Sequence, residues 1–411
     1  MSTSPPAAAG SLRSDAGVIG LVSLGHLISH FSQLLLAPLF PWLKDAFSVS
    51  YAQLGFLMTL FFVVSCAMQA ASGFLVDRYG PRNILFAGLG LIAVAAFGMS
   101  AATSYEMLAV CAVMAGAGNA VFHPVDFTLL NRKVSAPHLG HAYSVHGLSG
   151  NLGWALAPAL LVPLTLAFSW RVALMAAGAL VVAVMVVLWW WRDRLEMPVR
   201  APVQATEVAS SEGSFAFLRI PSVWMCFMFF LLYAIVLSVV QAFAPEAARQ
   251  LHGVPVALAA ACVTVYMVAS ACGILLGGFL VADPQRCERI MAAGMGVAAA
   301  IALAIGFASL PALAVPALFG AMGLATGLAG PSRDLIVKRS TPDHATGRVY
   351  GVVYAGLDIG QALAAPLFGG LLDRQHYQGV WLGLFVFQGL LIFTAVNVRK
   401  VRRTAPVPVT P

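Results

Sequence analysis

The chain is short of charge. Only 9% of its 411 residues are Asp, Glu, Lys or Arg, where a soluble domain carries about 25%. With 60% of the residues hydrophobic, a soluble fold would have no interior large enough to hide them. Cysteine is sparse and shows no paired spacing: six are scattered, five of them in apolar runs, and no C-x-x-C occurs. They read as small buried hydrophobes, and no disulfide is expected. The first residues, MSTSPPAAAGSLRSD, are polar with one Arg and lack an apolar core followed by a cleavage site. They do not read as a secretory leader, so the first apolar run is expected to stay. The chain lacks a G-x-x-x-x-G-K-[ST] loop, which argues against ATP hydrolysis. No nucleophile–base spacing stands out as an enzyme's, no cofactor is expected, and the net charge of +7 is not a nucleic-acid signal. Neither the termini nor the linkers offer the large soluble module that a sensor or scaffold would want.

What the chain has is long apolar runs. A bilayer-crossing helix needs about 20 mostly apolar residues. Twelve such stretches are expected at 17–41, 51–74, 84–102, 105–129, 141–165, 171–191, 221–243, 255–280, 289–309, 312–335, 346–370 and 378–398. Three linkers, 42–50, 103–104 and 166–170, are expected to be tight and extracytoplasmic. The longest, 192–220, separates six spans from six. Basic residues set the orientation. With the N-terminus inside, 18 of the 23 Lys and Arg fall on the cytoplasmic side, and only Lys44, Arg171, Arg249 and Arg374 fall outside. This positive-inside bias places both termini in the cytoplasm. The expected units are a tail at 1–16, a six-helix bundle at 17–191, the linker, a second bundle at 221–398 and a tail at 399–411.

The two halves repeat. Span four continues as HPVDFTLLNRKVSAPHLGHAY and span ten as GPSRDLIVKRSTPDHATGRVY; they align at an offset of 207, which pairs Pro124 with Pro331, Arg132 with Arg339 and Gly153 with Gly360. GFLVDRYGPRN at 73–83 is echoed by GGFLVADPQR at 277–286. A parallel duplication predicts two six-helix bundles related by an axis along the membrane normal, with the solute path between them.

GFLVDRYGPR resembles the signature between spans two and three of the major facilitator superfamily, G-x-x-x-D-R-x-G-R-R, through Gly73, Asp77, Arg78, Gly80 and Arg82, with Pro81 where Arg is usual. The FSWR at 168–171 resembles that superfamily's G-W-R before span six. Within it, LGHLISHFSQLLLAPLFPWLK, FHPVDFTLLNRK and GHAYSVHGLSGNLGWALAPAL resemble the fosmidomycin-resistance type of bacterial transporter. This chain has His30 where that type has an acid, and Val125 then Asp126 where it has Glu. The resemblance implies two rocking bundles, with spans one, four, seven and ten lining the cavity. It also implies proton-driven export of a small organic or drug-like molecule, and a location in the bacterial inner membrane. The loop residues Gly73, Asp77, Arg78, Gly80 and Arg82 are the expected gate, with Asp77 placed to pair with Arg78 or Arg82 or to meet the end of span eleven.

Polar groups at membrane depth are costly and mark function first. His26, His30 and Gln33 share one face of span one. His123 and Asp126 stand at i, i+3 on span four, with Pro124 between them to bend the helix. Asp126, His26 and His30 are the proton-coupling candidates, against the plainer reading of helix-to-helix hydrogen bonds. Gln33, His123, His146, Asn151, Tyr233, Arg333, Tyr354, Asp358 and Gln361 are the candidate substrate contacts. Arg333 aligns with Asp126 across the repeat and could grip an anion or pair permanently with an acid. Gly150 and Gly153 first suggest close packing. The rival function is proton-linked uptake of a small organic anion. A lesser one is transition-metal transport, because His26 and His30 have ligand spacing; no resident metal is expected. A monomer is expected to suffice.

Overall fold

The computed structural model describes residues 12–197, 221–280, 287–340 and 346–404, with side chains described except at 70, 221–222, 278–280, 287–288, 331–340, 346–354 and 395–404. The described residues form helices α1 (Leu12–Gln33), α2 (Phe40–Phe47), α3 (Tyr51–Tyr79), α4 (Pro81–Ser100), α5 (Tyr105–Asn119), α6 (Phe122–Lys133), α7 (Leu139–Ala167), α8 (Trp170–Trp190), α9 (Pro221–Ala242), α10 (Ala244–His252), α11 (Val256–Leu280), α12 (Cys287–Phe307), α13 (Ala314–Ser340), α14 (Thr346–Asp373) and α15 (Tyr377–Thr404). Among the described residues eleven stretches are helical, long and apolar enough to cross a membrane, and Ala314–Gly330 is a shorter apolar one. This is an all-helical, polytopic membrane fold.

Two expected spans are not continuous. The first ends as a regular helix at Gln33, passes through a 3-10 turn at Ala37–Leu39 and resumes as α2. Residues 42–47, expected as linker, are therefore helical; α2 stops at Ser48, which takes a left-handed conformation at φ 53°. The fourth span breaks at Ala120–Val121 between α5 and α6. Pro124 explains the place. It lacks the N–H that would bond the Ala120 carbonyl, and its ring crowds that carbonyl. Elsewhere the turns are short and capped: the hydroxyls of Ser50, Ser104 and Ser169 accept from backbone N–H groups three residues on, as good N-caps do.

The buried apolar side chains fall into three clusters. One is shared by both halves of the chain, running from Phe31, Phe40 and Leu57 to Phe243, Phe319, Phe368 and Trp381. A second is built from the first half alone, including Val22, Leu89, Phe122 and Leu188, and a third from the second half alone, including Val223, Phe230 and Leu391. The shared cluster holds the beginnings of α3 and α5 and the end of α9. The two separate clusters hold the opposite ends of the same bundles, toward Arg78, Arg82, Lys133 and Arg194. The halves are thus joined at one face and have their own interiors at the other, which is called the basic face below.

Close helix approaches recur at the spacing of the sequence repeat. A Cβ placed on Gly116 would run into the Phe61 carbonyl, and one on Gly323 into the Tyr266 carbonyl. Gly88 lies against the Gly118 carbonyl and Gly294 against the Ala325 carbonyl. Gly153 lies against the Leu27 carbonyl and Gly360 against the Leu231 carbonyl. Each partner pair is offset by 204–207 residues. Small residues at these points let backbones meet where no hydrophobic force draws membrane helices together.

Candidate functional site

The site forms where α1, α6 and α7 meet. His26 and His30 stand one turn apart on α1, and the α5–α6 break turns Asp126 inward until its side chain is fully buried. His26 Nδ1 lies 2.9 Å from Asp126 Oδ2, and His146 Nε2 on α7 lies 3.1 Å from the same oxygen. A carboxylate oxygen can only accept, so each ring presents an N–H to it. The His26 and His146 rings stack at 3.6 Å between centroids. His30 lies 4.4 Å and His123 5.5 Å from the His26 ring. Asp126 Oδ1, His30 Nδ1 and His123 Nδ1 are buried and unpartnered, so the cluster keeps spare hydrogen-bonding capacity.

The glycines of α7 make this assembly possible. A Cβ on Gly150 would sit 2.7 Å from the His30 ring, and one on Gly153 would strike the Leu27 carbonyl. The expectation that both serve packing agrees with this geometry. Trp154, which sequence reasoning missed, donates from Nε1 to Gln33 Oε1 at 2.9 Å and lies 4.1 Å from the His30 ring. It sits one residue after Gly153, on the face turned to α1, and that register was its only signal. Asn119 was missed as well. It accepts from Ser29 at 2.7 Å and donates to Ser65 at 3.0 Å, tying α1, α5 and α3 together. An amide in an apolar run was the signal that could have found it.

Six predicted residues, His26, His30, Gln33, His123, Asp126 and His146, are brought together in this way. Asn151 is not: its side-chain N–H reaches back to the Gly147 carbonyl of its own helix at 3.3 Å. In the second half, Tyr233 is partly buried on α9. Asp358 is partly buried on α14 and has no hydrogen-bond or ion-pair partner among the described residues, although it lies within electrostatic reach of Cys66 on α3. Gln361 is buried, with an unpartnered Oε1. The side chains of Arg333 and Tyr354 lie outside the described residues, as does most of the loop at 277–286.

At the expected gate, Arg82 pairs with Glu196 at 3.2 Å and the Arg78 guanidinium lies over the Tyr79 ring at 5.3 Å. Asp77 is exposed and has no ion pair among the described residues, so it does not pair with Arg78 or Arg82; the start of α14, its other expected partner, falls where side chains are not described. Gly80 adopts φ 80°, the positive range glycine tolerates, and Gly73 faces open space.

His26, Asp126 and His146 each offer a ligand atom, all within 4.8 Å of one another. Imidazole and carboxylate suit zinc, copper or nickel. The two nitrogen–oxygen separations are hydrogen-bond lengths, however, and two N–H groups shared with one oxygen account for the grouping.

The family model described as Major Facilitator Superfamily matches residues 22–321 and 242–411. Over 153 residues the chain is 30% identical to the fosmidomycin resistance protein of Escherichia coli (strain K12), an alignment covering 36% of each protein. It is 24% identical over 415 residues to the membrane sensor protein UhpC of Salmonella typhimurium, covering 93% of this chain and 91% of that one. Its fold is similar to a bacterial homolog of the human lysosomal transporter Spinster, solved inward-facing and unoccupied, with a TM-score of 0.75 at 17% identity over 97% of this chain and 100% of that one. It is also similar to the nucleoside transporter NupG, with a TM-score of 0.72 at 15% identity over 92% and 99%. With the family model matched along nearly all of its length, the chain belongs to the Major Facilitator Superfamily, a family of transporters and not of catalysts.

Proposed function

We propose that this protein is a secondary active transporter that works by alternating access, moving a small organic or drug-like molecule outward against a proton gradient. Twelve spans in two parallel six-helix bundles are the architecture of this reading. The glycine contacts that recur at the repeat offset support it. Both termini and the basic face lie in the cytoplasm, by the distribution of Lys and Arg. On that orientation the core shared by both halves lies at the outer face and the two separate cores lie toward the cytoplasm. This reading takes the conformation as inward-open.

The observation that carries the reading is Asp126: a fully buried carboxylate with two imidazoles on one oxygen and nothing on the other. A lone charge in such a place costs several kcal/mol, so its environment favours exchange of a proton with the neighbouring histidines as the cavity opens and closes. His26 and His146 hold the carboxylate, and His30 and His123 line the way to it. Solute then binds between this wall and Tyr233, Asp358 and Gln361 of the other half. The likeness to the fosmidomycin resistance protein supports export. Proton-linked uptake of an organic anion rests on Arg333 alone.

The test uses purified protein in liposomes. Solutes are first screened by thermal shift, and labelled hits are then followed under an imposed pH gradient. Asp126→Asn should abolish gradient-driven accumulation while leaving solute exchange at equal pH. Gradient-driven transport that survives in Asp126→Asn overturns the assignment. A chain that exchanges no solute at all would favour a sensing role instead.

A further inference from the structure

Among the described residues, one polar join between the halves is a helix cap made by the wrong helix. The first N–H groups of α3 have no carbonyl of their own to reach. Gln53 N–H donates to Ser50 Oγ at 3.1 Å, and the Gln53 amide oxygen in turn accepts the Ser50 N–H at 2.8 Å. The N–H groups of Tyr51 and Ala52 are left over. Both donate to Asp373, the last residue of α14, in the other half of the chain and more than 300 positions away. Tyr51 bonds Oδ1 at 2.7 Å and Ala52 bonds Oδ2 at 2.9 Å. A carboxylate held by two N–H groups at a helix N-terminus also gains from the positive end of the helix dipole.

The contact continues down the two helices. Thr59 Oγ1 donates to the Ala362 carbonyl at 2.8 Å. A Cβ on Gly55 would meet the Ala365 carbonyl at 2.7 Å, and one on Gly369 would meet the Tyr51 carbonyl at 2.7 Å. On the next pair of helices, Thr264 Oγ1 of α11 donates to the Ala155 carbonyl of α7 at 3.1 Å. None of these bonds is needed to fold either half, because each crosses from one half to the other. All must break for the halves to part at this face.

We propose that Asp373 is the outer latch of the transport cycle: a positioning residue whose carboxylate stabilises the inward-open state by capping α3, and whose release opens the face opposite the basic one. This rests on the alternating-access reading above. It assigns a role to a residue that lies outside the signature loop and far from the histidine cluster. The Asp373 carboxylate is already exposed to solvent, so opening needs to hydrate only the Tyr51 and Ala52 N–H groups, and the cost stays small enough for a cycle. Without the carboxylate the closed outer face loses its cap, and the outward-open state gains population.

Amide hydrogen exchange on the full-length protein in lipid nanodiscs tests this. Asp373→Ala should speed exchange at least tenfold in segment 51–59. It should do the same, less strongly, in 360–373 and around Ala155 and Thr264, and slow it in 122–133 as the basic face closes. Asp373→Asn, which keeps one acceptor, should fall between Ala and the parent. Thr59→Val, which leaves the cap intact, should move the same segments in the same direction by a smaller factor. A change confined to residues 51–54 would mean a local cap only and would overturn the latch. Equal exchange in Asp373→Ala and the parent would do so too. Failure of the transport reading looks different: the parent itself would exchange no labelled solute, whatever the exchange pattern at 51–59.

Discussion

Gly153→Ala and Gly147→Ala form a matched pair on one helix, and they should differ sharply. Both positions lie in the interior of α7, so the intrinsic helix preference for Ala over Gly, about 1 kcal/mol in water, acts on both alike. The surroundings do not. Around Gly147 a Cβ meets nothing within 4 Å. At Gly153 it would overlap the Leu27 carbonyl oxygen and stand 3.0 Å from His30 Cβ. A backbone carbonyl in a helix cannot turn away, so α7 must back off from α1 by about 1 Å to restore ordinary contact. Overpacking of this kind costs about 1–3 kcal/mol. The His26–His146 stack at 3.6 Å, which depends on the same approach, loosens with it. Gly147→Ala, with only the helix preference acting, is expected to be more stable than the parent by up to about 1 kcal/mol. The assay is thermal unfolding of purified protein in a mild detergent, with solute exchange measured in parallel. Gly153→Ala should melt lower and exchange more slowly, while Gly147→Ala should melt no lower than the parent and exchange solute as it does. Equal melting of the two variants would refute the claim that α7 needs glycine in order to reach α1.

The repeat makes a second case of the same kind: Gly360→Ala, against the Leu231 carbonyl, should lower the melting temperature about as much as Gly153→Ala without disturbing the histidines. Asn119→Ala removes the partner of both Ser29 and Ser65; with two buried hydroxyls left over, it should cost about 1–3 kcal/mol in the same melting experiment. Arg333→Gln bears on direction and cargo. If Arg333 grips an anion, binding of anionic solutes measured by calorimetry should fall at least tenfold with neutral solutes unchanged, and an equal loss for both would remove the case for uptake of an anion.

The spans, the duplication and the α1 stripe of His26, His30 and Gln33 were legible because each is a pattern along the chain: apolar length, repeated order, and a spacing of four residues. What lay across helices was not. Membrane helices are apolar all round, so no polar face marks which side meets a neighbour. Trp154 gains its meaning only where α7 is set against α1, and Asn119 only where α1 and α3 flank it. Asp373 stands three residues past the expected end of span eleven, beside Arg374, and drew no reading. Its meaning depends on the start of a helix over 300 residues earlier, a distance no local pattern spans. The break at Ala120–Val121 was half legible: Pro124 announced a bend, but the position of the break follows from which carbonyl the missing N–H leaves free.

The repeat separates scaffold from chemistry. The glycine contacts that bring helices together occur in both halves: Gly116 with Gly323, Gly88 with Gly294, and Gly153 with Gly360. Even the polar tie at Asn119 has a counterpart, since Thr326 bonds the Tyr266 hydroxyl at 2.9 Å. The histidine cluster has none. At the same offsets His26 faces Phe230 in the alignment, His30 faces Ala234, His123 faces Gly330, and His146 faces Val353; Asp126 faces Arg333, a charge of opposite sign. At these positions the second half carries no imidazole. The helix arrangement that the two halves share therefore does not require histidine at these positions. Buried polar groups carry a desolvation cost that apolar residues at those positions would avoid. A cluster that one copy bears and the other lacks points to binding more than to support, and that asymmetry is the reason ion coupling is proposed at Asp126.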